Sequence, residues 1–176
     1  DLPGAAQEGE AVVRILKELE GIETLELRGN EATKDAFLQA IAKADVLHYC
    51  GHAFFDGTGP EESGLNLWGD ALFFNDLIDA PSNLRVAFAN ACESGRVRTQ
   101  RADDDEAASF AEYLLRTGLE AFLGTYWTVS DAAAEMFASE IYSALASGDS
   151  LDTAVRKGRH RLFEANSPEW ANYVLY

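Results

Sequence analysis

The stretch Leu84–Gly95, LRVAFANACESG, decides the fold class of this chain. Its first eight residues are almost continuously apolar, which is typical of a strand covered on both faces of a parallel sheet. Pro81 bounds the run on one side and the turn-forming residues ESG end it on the other. We therefore expect a buried central strand, with Cys92 just beyond its carboxyl end.

Segments with strand and helix patterns alternate on both sides of that stretch, which predicts βαβ units and a mostly parallel sheet. Further strands are predicted at 24–28 (TLELR), 45–50 (DVLHYC), 120–127 (EAFLGTYW) and 170–176 (WANYVLY), with a hairpin at 65–74 around Gly69 and Asp70. Helices are predicted at 8–20, at 31–42, around 110–115, from 137 to about 148, and over 151–162.

Composition limits the classes of function. The 176 residues fit one domain, and a net charge of −16 from 14 basic and 30 acidic residues opposes binding to a phosphate backbone. We expect no nucleic-acid partner and, without a signal peptide or a long apolar run, no membrane partner. Two cysteines, too few for a disulfide framework, favour a reducing compartment and hence a cytoplasmic location.

Two reactive side chains follow predicted strands at corresponding points. His52 comes after the strand 45–50, and Cys92 comes after the strand 84–91. Carboxyl ends of neighbouring parallel strands share one edge of a sheet, so an imidazole and a thiol would meet there, as nucleophilic catalysis requires. Taken singly, Cys92 would be read as a small buried apolar residue and His52 as a loop histidine; taken together, they favour catalysis.

Other chemistries find little support in the sequence. His48 and His52 have HxxxH spacing, but the segment is predicted as strand and loop and lacks the glutamate of HExxH, so we expect no metal site and a packing or supporting role for His48. Ser94 lacks the GxSxG frame of a serine hydrolase. No phosphate-binding glycine loop is present, and no cofactor is expected.

The motifs HYCGHA (48–53), ANACESG (89–95), GLEAFLGTYWTVSDAAA (118–134) and WANYVLY, in this order and spacing, resemble the CHAT domain. CHAT domains are caspase-like peptidases related to separase, gingipains and metacaspases. The resemblance covers nearly the whole chain. It implies an α/β caspase-like three-layer sandwich, with a mostly parallel central sheet and helices on both faces. We expect one domain over 1–176, cut from a longer multidomain chain and lacking the family's first strand.

The resemblance also implies a cysteine endopeptidase that works through an acyl-enzyme, with Cys92 as nucleophile and His52 as general base. Backbone N–H groups of Ala53 and Cys92 would hold the oxyanion. Ala53 stands where the family usually has glycine, so a loop that needed a positive φ would be strained there.

Likeness to separase implies that Asp131 recognises a basic P1 side chain, with Trp127 as a pocket wall and Glu93 and Asp56 as weaker acidic candidates. The alternative for Asp131 is capping of the helix that follows it.

We expect a protein or peptide substrate and control by fused regulatory or repeat modules. Loop 93–106 would be either a regulatory element or a solvated connection. A catalytically silent scaffold or peptide-binding module, and a hydrolase of small amides or thioesters, are the alternative functions.

Overall fold

Strands and helices alternate along the chain in the computed structural model, which describes residues 3–54, 63–80, 82–91, 111, 114–115 and 118–176. The strands in these ranges are β1 (Val46–Cys50), β2 (Ala53–Phe54), β3 (Gly64–Asn66), β4 (Ala71–Phe73), β5 (Val86–Asn90), β6 (Ala121–Thr125) and β7 (Tyr173–Leu175). The α-helices are α1 (Pro3–Leu16), α2 (Lys34–Ile41), α3 (Phe74–Asp79), α4 (Asp131–Ala146) and α5 (Leu151–Glu164). Residues 111, 114 and 115 are also helical.

The central sheet has the strand order β1–β5–β6–β7. β5 lies between two parallel neighbours, β1 and β6, while β7 runs antiparallel to β6. The register pairs Val46 with Val86 at one end of β1 and Cys50 with Asn90 at the other. The predicted central strand and mostly parallel sheet are therefore confirmed.

Two cores cover the faces of this sheet. Side chains alternate along β5, so Ala87 and Ala89 join a core formed with α2, α3 and the β3–β4 hairpin, while Phe88 joins a core formed with α1, α4 and α5. Helices on both faces give the predicted three-layer α/β architecture. No helix in the described ranges has both the length and the apolar character needed to cross a bilayer.

A second, antiparallel sheet of β2, β3 and β4 extends from the carboxyl end of β1. β3 and β4 form the predicted hairpin, and Gly69 adopts the positive φ of 77° that its turn requires. β4 leads directly into α3, a helix that the sequence did not predict; its first residue, Phe74, was predicted as the last residue of the hairpin.

Two further segments differ from what their sequence patterns suggest. Residues 24–28 form no strand, and Leu25 is 70% exposed because no described strand pairs with this segment; Glu26 instead forms surface ion pairs with Lys17 and Arg28. The apolar strand 45–50 forms β1, which lies at one edge of the described central sheet, so Val46 is 51% exposed.

Candidate active site

His52 lies two residues beyond the end of β1, at the carboxyl edge of the parallel strands. Its carbonyl oxygen accepts a hydrogen bond from the Asn66 N–H at 2.9 Å and lies 2.9 Å from the Tyr49 hydroxyl, whose one proton is shared between this carbonyl oxygen and that of Asn66, also 2.9 Å away. Burial raises the pKa of Tyr49, which keeps this hydroxyl protonated as a donor. The backbone of His52 is therefore fixed, while the residue itself is exposed to solvent.

Gly51 lets the Tyr49 ring approach this turn. A Cβ at position 51 would lie 2.5 Å from the Tyr49 hydroxyl oxygen and 2.7 Å from the ring carbon that bears it. Any side chain here would displace the ring and the hydroxyl that holds His52.

Ala53 begins β2 and lies opposite Leu65. The preceding pair, His52 and Asn66, is hydrogen-bonded, so the Ala53–Leu65 pair is a non-hydrogen-bonded one and the N–H of Ala53 points away from β3. Ala53 does not adopt a positive φ; among described residues other than glycine only Asn166 does. The strain that the sequence suggested at Ala53 does not arise.

Cys92, Glu93, Asp56 and loop 93–106 lie outside the described residues. The last described residue before Cys92 is Ala91, whose carbonyl oxygen accepts a 2.7 Å hydrogen bond from the Thr125 hydroxyl at the end of β6.

A buried polar cluster, consisting of Glu8, His48, Cys50, Asn90 and Tyr173, joins α1 to the central sheet. Glu8 is 2% exposed, and its Oε1 lies 3.1 Å from His48 Nε2 and accepts a 2.8 Å bond from Asn90 Nδ2. The Tyr173 hydroxyl lies 3.4 Å from Asn90 Oδ1. Sequence reasoning missed Glu8 and Asn90, although Glu8 falls on the helical stripe of Val12 and Leu16.

Cys50 is a protonated member of this cluster. Burial, reinforced by the charge of Glu8 and a hydrogen bond to it, raises the pKa of the Cys50 thiol far above its ordinary value. A thiol held in this form is a poor nucleophile.

Ligand atoms of Glu8, His48 and Cys50 all lie within 4.8 Å of one another, and these are residue types that bind zinc. His48 also packs edge-on against Phe88 and Tyr142, with ring centroids 4.6 and 5.3 Å away.

Trp127 follows the carboxyl end of β6, the strand next to β5, and is 46% exposed. The fully buried Asn172 fixes its backbone from both sides, because Oδ1 accepts from the Trp127 N–H at 2.8 Å and Nδ2 donates to the Trp127 carbonyl at 2.7 Å. The indole is thus presented on a rigid turn at the same edge as His52.

Asp131 is the first residue of α4 and is exposed. The helix is capped by Ser130, whose hydroxyl accepts from the Ala133 N–H at 3.4 Å, so the capping role considered for Asp131 was one residue off. The Asp131 carboxyl group packs over Gly4 of α1, where an added Cβ would lie 2.0 Å from Asp131 Cγ.

Two of the solved structures that resemble this fold are proteases. The Arg-specific cysteine proteinase gingipain R has a TM-score of 0.70 and 16% identity, over 94% of this chain and 38% of its own. A structure described as a protease has a TM-score of 0.69 and 14% identity, over 99% of this chain and 44% of its own. The chain spans less than half of either, and at these identities the likeness establishes the fold alone.

No curated protein matches the sequence significantly. The family model of the CHAT domain matches residues 1–176. The chain therefore belongs to the CHAT family and has a caspase-like α/β fold.

Proposed function

We propose that this chain is a cysteine endopeptidase in which Cys92 is the nucleophile and His52 the general base. The observation that carries the proposal is the register of β1 and β5, which are parallel neighbours with Cys50 opposite Asn90. His52 follows Cys50 by two residues, and Cys92 follows Asn90 by two residues. Family membership and the peptidase fold support the same assignment.

Peptide cleavage then proceeds in two stages. His52 takes the proton of the Cys92 thiol, and the sulfur attacks the substrate carbonyl to form a tetrahedral oxyanion. The N–H groups of Ala53 and Cys92 bind that oxyanion, a role supported by the direction of the Ala53 N–H away from β3. His52 protonates the leaving amine, and it then takes a proton from the water that hydrolyses the acyl-enzyme.

We further propose a substrate with Arg or Lys at P1, bound by Asp131 and Glu93 against Trp127. Trp127 follows the strand next to β5 and exposes enough of its indole to wall a pocket. A carboxylate pairs with a guanidinium through charge-assisted hydrogen bonds. The net charge of −16 adds a long-range attraction for basic substrates.

An electrophilic peptidyl probe with Arg at P1, followed by peptide mass spectrometry, tests the nucleophile. It should modify Cys92 and leave the buried Cys50 unmodified. Modification of Cys50, or of neither cysteine, would contradict the proposal.

Variants of the dyad test the mechanism. Cys92→Ala and His52→Ala should each abolish peptide turnover without changing the melting temperature by more than a few degrees, since His52 is exposed. His160→Ala is the matched control, because His160 is an exposed histidine on α5 with only a weak contact to Glu164; it should retain full turnover. Peptidase activity that survived both dyad substitutions would exclude the mechanism, and a folded protein that bound peptides without cleaving them would be a scaffold. Cleavage of small amides or thioesters without cleavage of peptides would favour the alternative function, a hydrolase of small substrates.

A further inference from the structure

One carboxylate joins α1 to both strands that lead to the proposed dyad. Glu8 Oε1 lies 3.1 Å from His48 Nε2 on β1 and 2.8 Å from Asn90 Nδ2 on β5. His48 stands four residues before His52, and Asn90 stands two residues before Cys92. No other carboxylate in the described part of the chain is buried to this degree.

Packing alone does not account for this carboxylate. Glu8 occupies the apolar stripe of α1, where a leucine would fill the core without the cost of desolvating a charge. The buried charge is retained only with donors around it, and His48, Asn90 and the Cys50 thiol supply them. The directional contacts of the cluster therefore fix the positions of α1, β1 and β5 relative to one another, which apolar packing alone would not do.

Asn90 connects the buried cluster to the residues that precede His52 and Cys92. Its amide is bound by Glu8 on one side and lies 3.4 Å from the Tyr173 hydroxyl on the other. Its backbone carbonyl oxygen accepts the N–H of Gly51 at 3.4 Å, directly before His52. A shift of the Asn90 backbone would thus move Gly51, which precedes His52, together with Ala91, which precedes Cys92.

We infer that Glu8 is a positioning residue for catalysis, holding β1 and β5 through His48 and Asn90 so that His52 and Cys92 keep their separation. This inference rests on the dyad proposed above. In this role Glu8 acts through the two strands and not by contact with the substrate or the reacting atoms.

A reciprocal exchange tests the inference in the full-length protein. Glu8→Gln places two amides against each other, and Asn90→Asp places two carboxylates there. In the double variant Glu8→Gln/Asn90→Asp, position 90 supplies the carboxylate and position 8 supplies the amide donor. The amide oxygen at position 8 remains as the acceptor for His48 Nε2, so the pair is restored with the charge on the other side chain. We expect each single variant to lower kcat/KM by about tenfold or more, mainly through kcat, and the exchange to recover activity to within about threefold of wild type.

The pH dependence of Cys92 alkylation by iodoacetamide separates positioning from stability. Loss of the His52 contact should move the midpoint in each single variant upward, towards about 8.5 for a free thiol, and the exchange should move it back. Glu10→Gln is the matched control, because Glu10 lies on the same helix but is exposed and pairs with Arg28 at the surface. It should leave both kcat and the midpoint unchanged.

Several outcomes would overturn the inference. A lower melting temperature with unchanged kcat and alkylation midpoint would reduce Glu8 to a structural residue. An exchange variant that folds but stays as inactive as the single variants would exclude the proposed linkage, and it decides the question even if a single variant fails to fold. One zinc ion per chain in the purified protein, lost with Glu8→Gln, would make the cluster a metal centre instead. Full turnover in His52→Ala and Cys92→Ala would reject the proposed dyad itself, a result distinguishable from all of these.

Discussion

The hydroxyl of Thr125 donates a 2.7 Å hydrogen bond to the carbonyl oxygen of Ala91, and Thr125 is completely buried. This bond joins the end of β6 to the last residue before Cys92. On the other side, Asn90 is joined to α1 and, through its carbonyl, to the turn before His52. The segment that leads to the proposed nucleophile is thus fixed from β6, from β1 and from α1.

Thr125→Val should destabilise the protein and slow catalysis. Valine keeps the shape of threonine but leaves the buried Ala91 carbonyl without this donor, at a cost of about 1–3 kcal/mol. Urea denaturation should show that loss, and peptide turnover should fall because Ala91 is free to shift. Thr128→Val, at an exposed position three residues away, should change stability by less than about 0.5 kcal/mol. Equal losses of stability in the two variants would contradict the role assigned to the hydrogen bond between Thr125 and Ala91.

Gly51→Ala should disturb the turn that holds His52. The new Cβ would lie 2.5 Å from the Tyr49 hydroxyl oxygen, so the ring must move and release the His52 carbonyl. We expect a loss of about 1–3 kcal/mol in the free energy of unfolding and a marked fall in turnover. Gly9→Ala is the matched control, since a Cβ there meets nothing within 4 Å, and it should stabilise α1 by about 0.5–1 kcal/mol. A Gly51→Ala protein with wild-type stability and turnover would contradict this role of the glycine.

Gly4→Ala tests the proposed P1 pocket without removing its carboxylate. The added methyl group would lie 2.0 Å from Asp131 Cγ and must displace that side chain. If Asp131 binds a basic P1 residue, Gly4→Ala and Asp131→Ala should both lower the preference for Arg over an apolar P1 residue by about tenfold, as expected for one charge-assisted bond. The measurement is a peptide library with varied P1, and Gly9→Ala again serves as control. An unchanged preference in Asp131→Ala would refute the assignment of Asp131.

The sequence predicted the layers and the strands of the central sheet well, because these depend on local apolar patterns. β5, β6, α4 and α5 follow from runs and repeats of apolar residues that end at glycines or prolines. The strand expected at 24–28 failed for a non-local reason: alternation in TLELR carries no information about whether a neighbouring strand exists to pair with it. α3 was not predicted, because its first residue, Phe74, ends an apolar run that fits a strand and the five residues after it continue no clear apolar repeat.

The buried polar contacts were beyond sequence reasoning. A glutamate on an apolar helical stripe is a visible anomaly, but nothing in the sequence says that Glu8 meets His48 and Asn90, which lie 40 and 82 residues away. The same holds for Thr125 and Ala91, joined across two strands. Such contacts are fixed by the packing of α1 and β6 on β5, which no local pattern encodes.

Cys50 should make the stability of the protein fall as the pH rises above about 9. Burial and Glu8 raise the pKa of its thiol from 9.0, so above pH 9 the unfolded chain loses a proton that the folded protein keeps. The contribution is fully present below the unfolded pKa and is lost as pH rises towards the folded one. One such group gives a slope of up to about 1.4 kcal/mol per pH unit. Buried Tyr49 and Tyr142, whose pKa values burial also raises, add to it above pH 10.

Urea denaturation under reducing conditions at pH 8, 9 and 9.8 measures this slope before the tyrosines contribute. Cys50→Ala should lower stability at pH 8, because it removes a buried group and its bond to Glu8, yet should flatten the decline between pH 8 and 9.8. Cys92→Ala should keep this decline or steepen it, because a Cys92 thiol whose midpoint lies below that of a free thiol contributes a slope of the opposite sign. An unchanged slope in Cys50→Ala would show that the thiol ionises equally in both states, and that Glu8 does not hold it as a proton donor. The alkaline slope thus reports, without any substrate, whether Cys50 is held as a buried thiol in the folded protein.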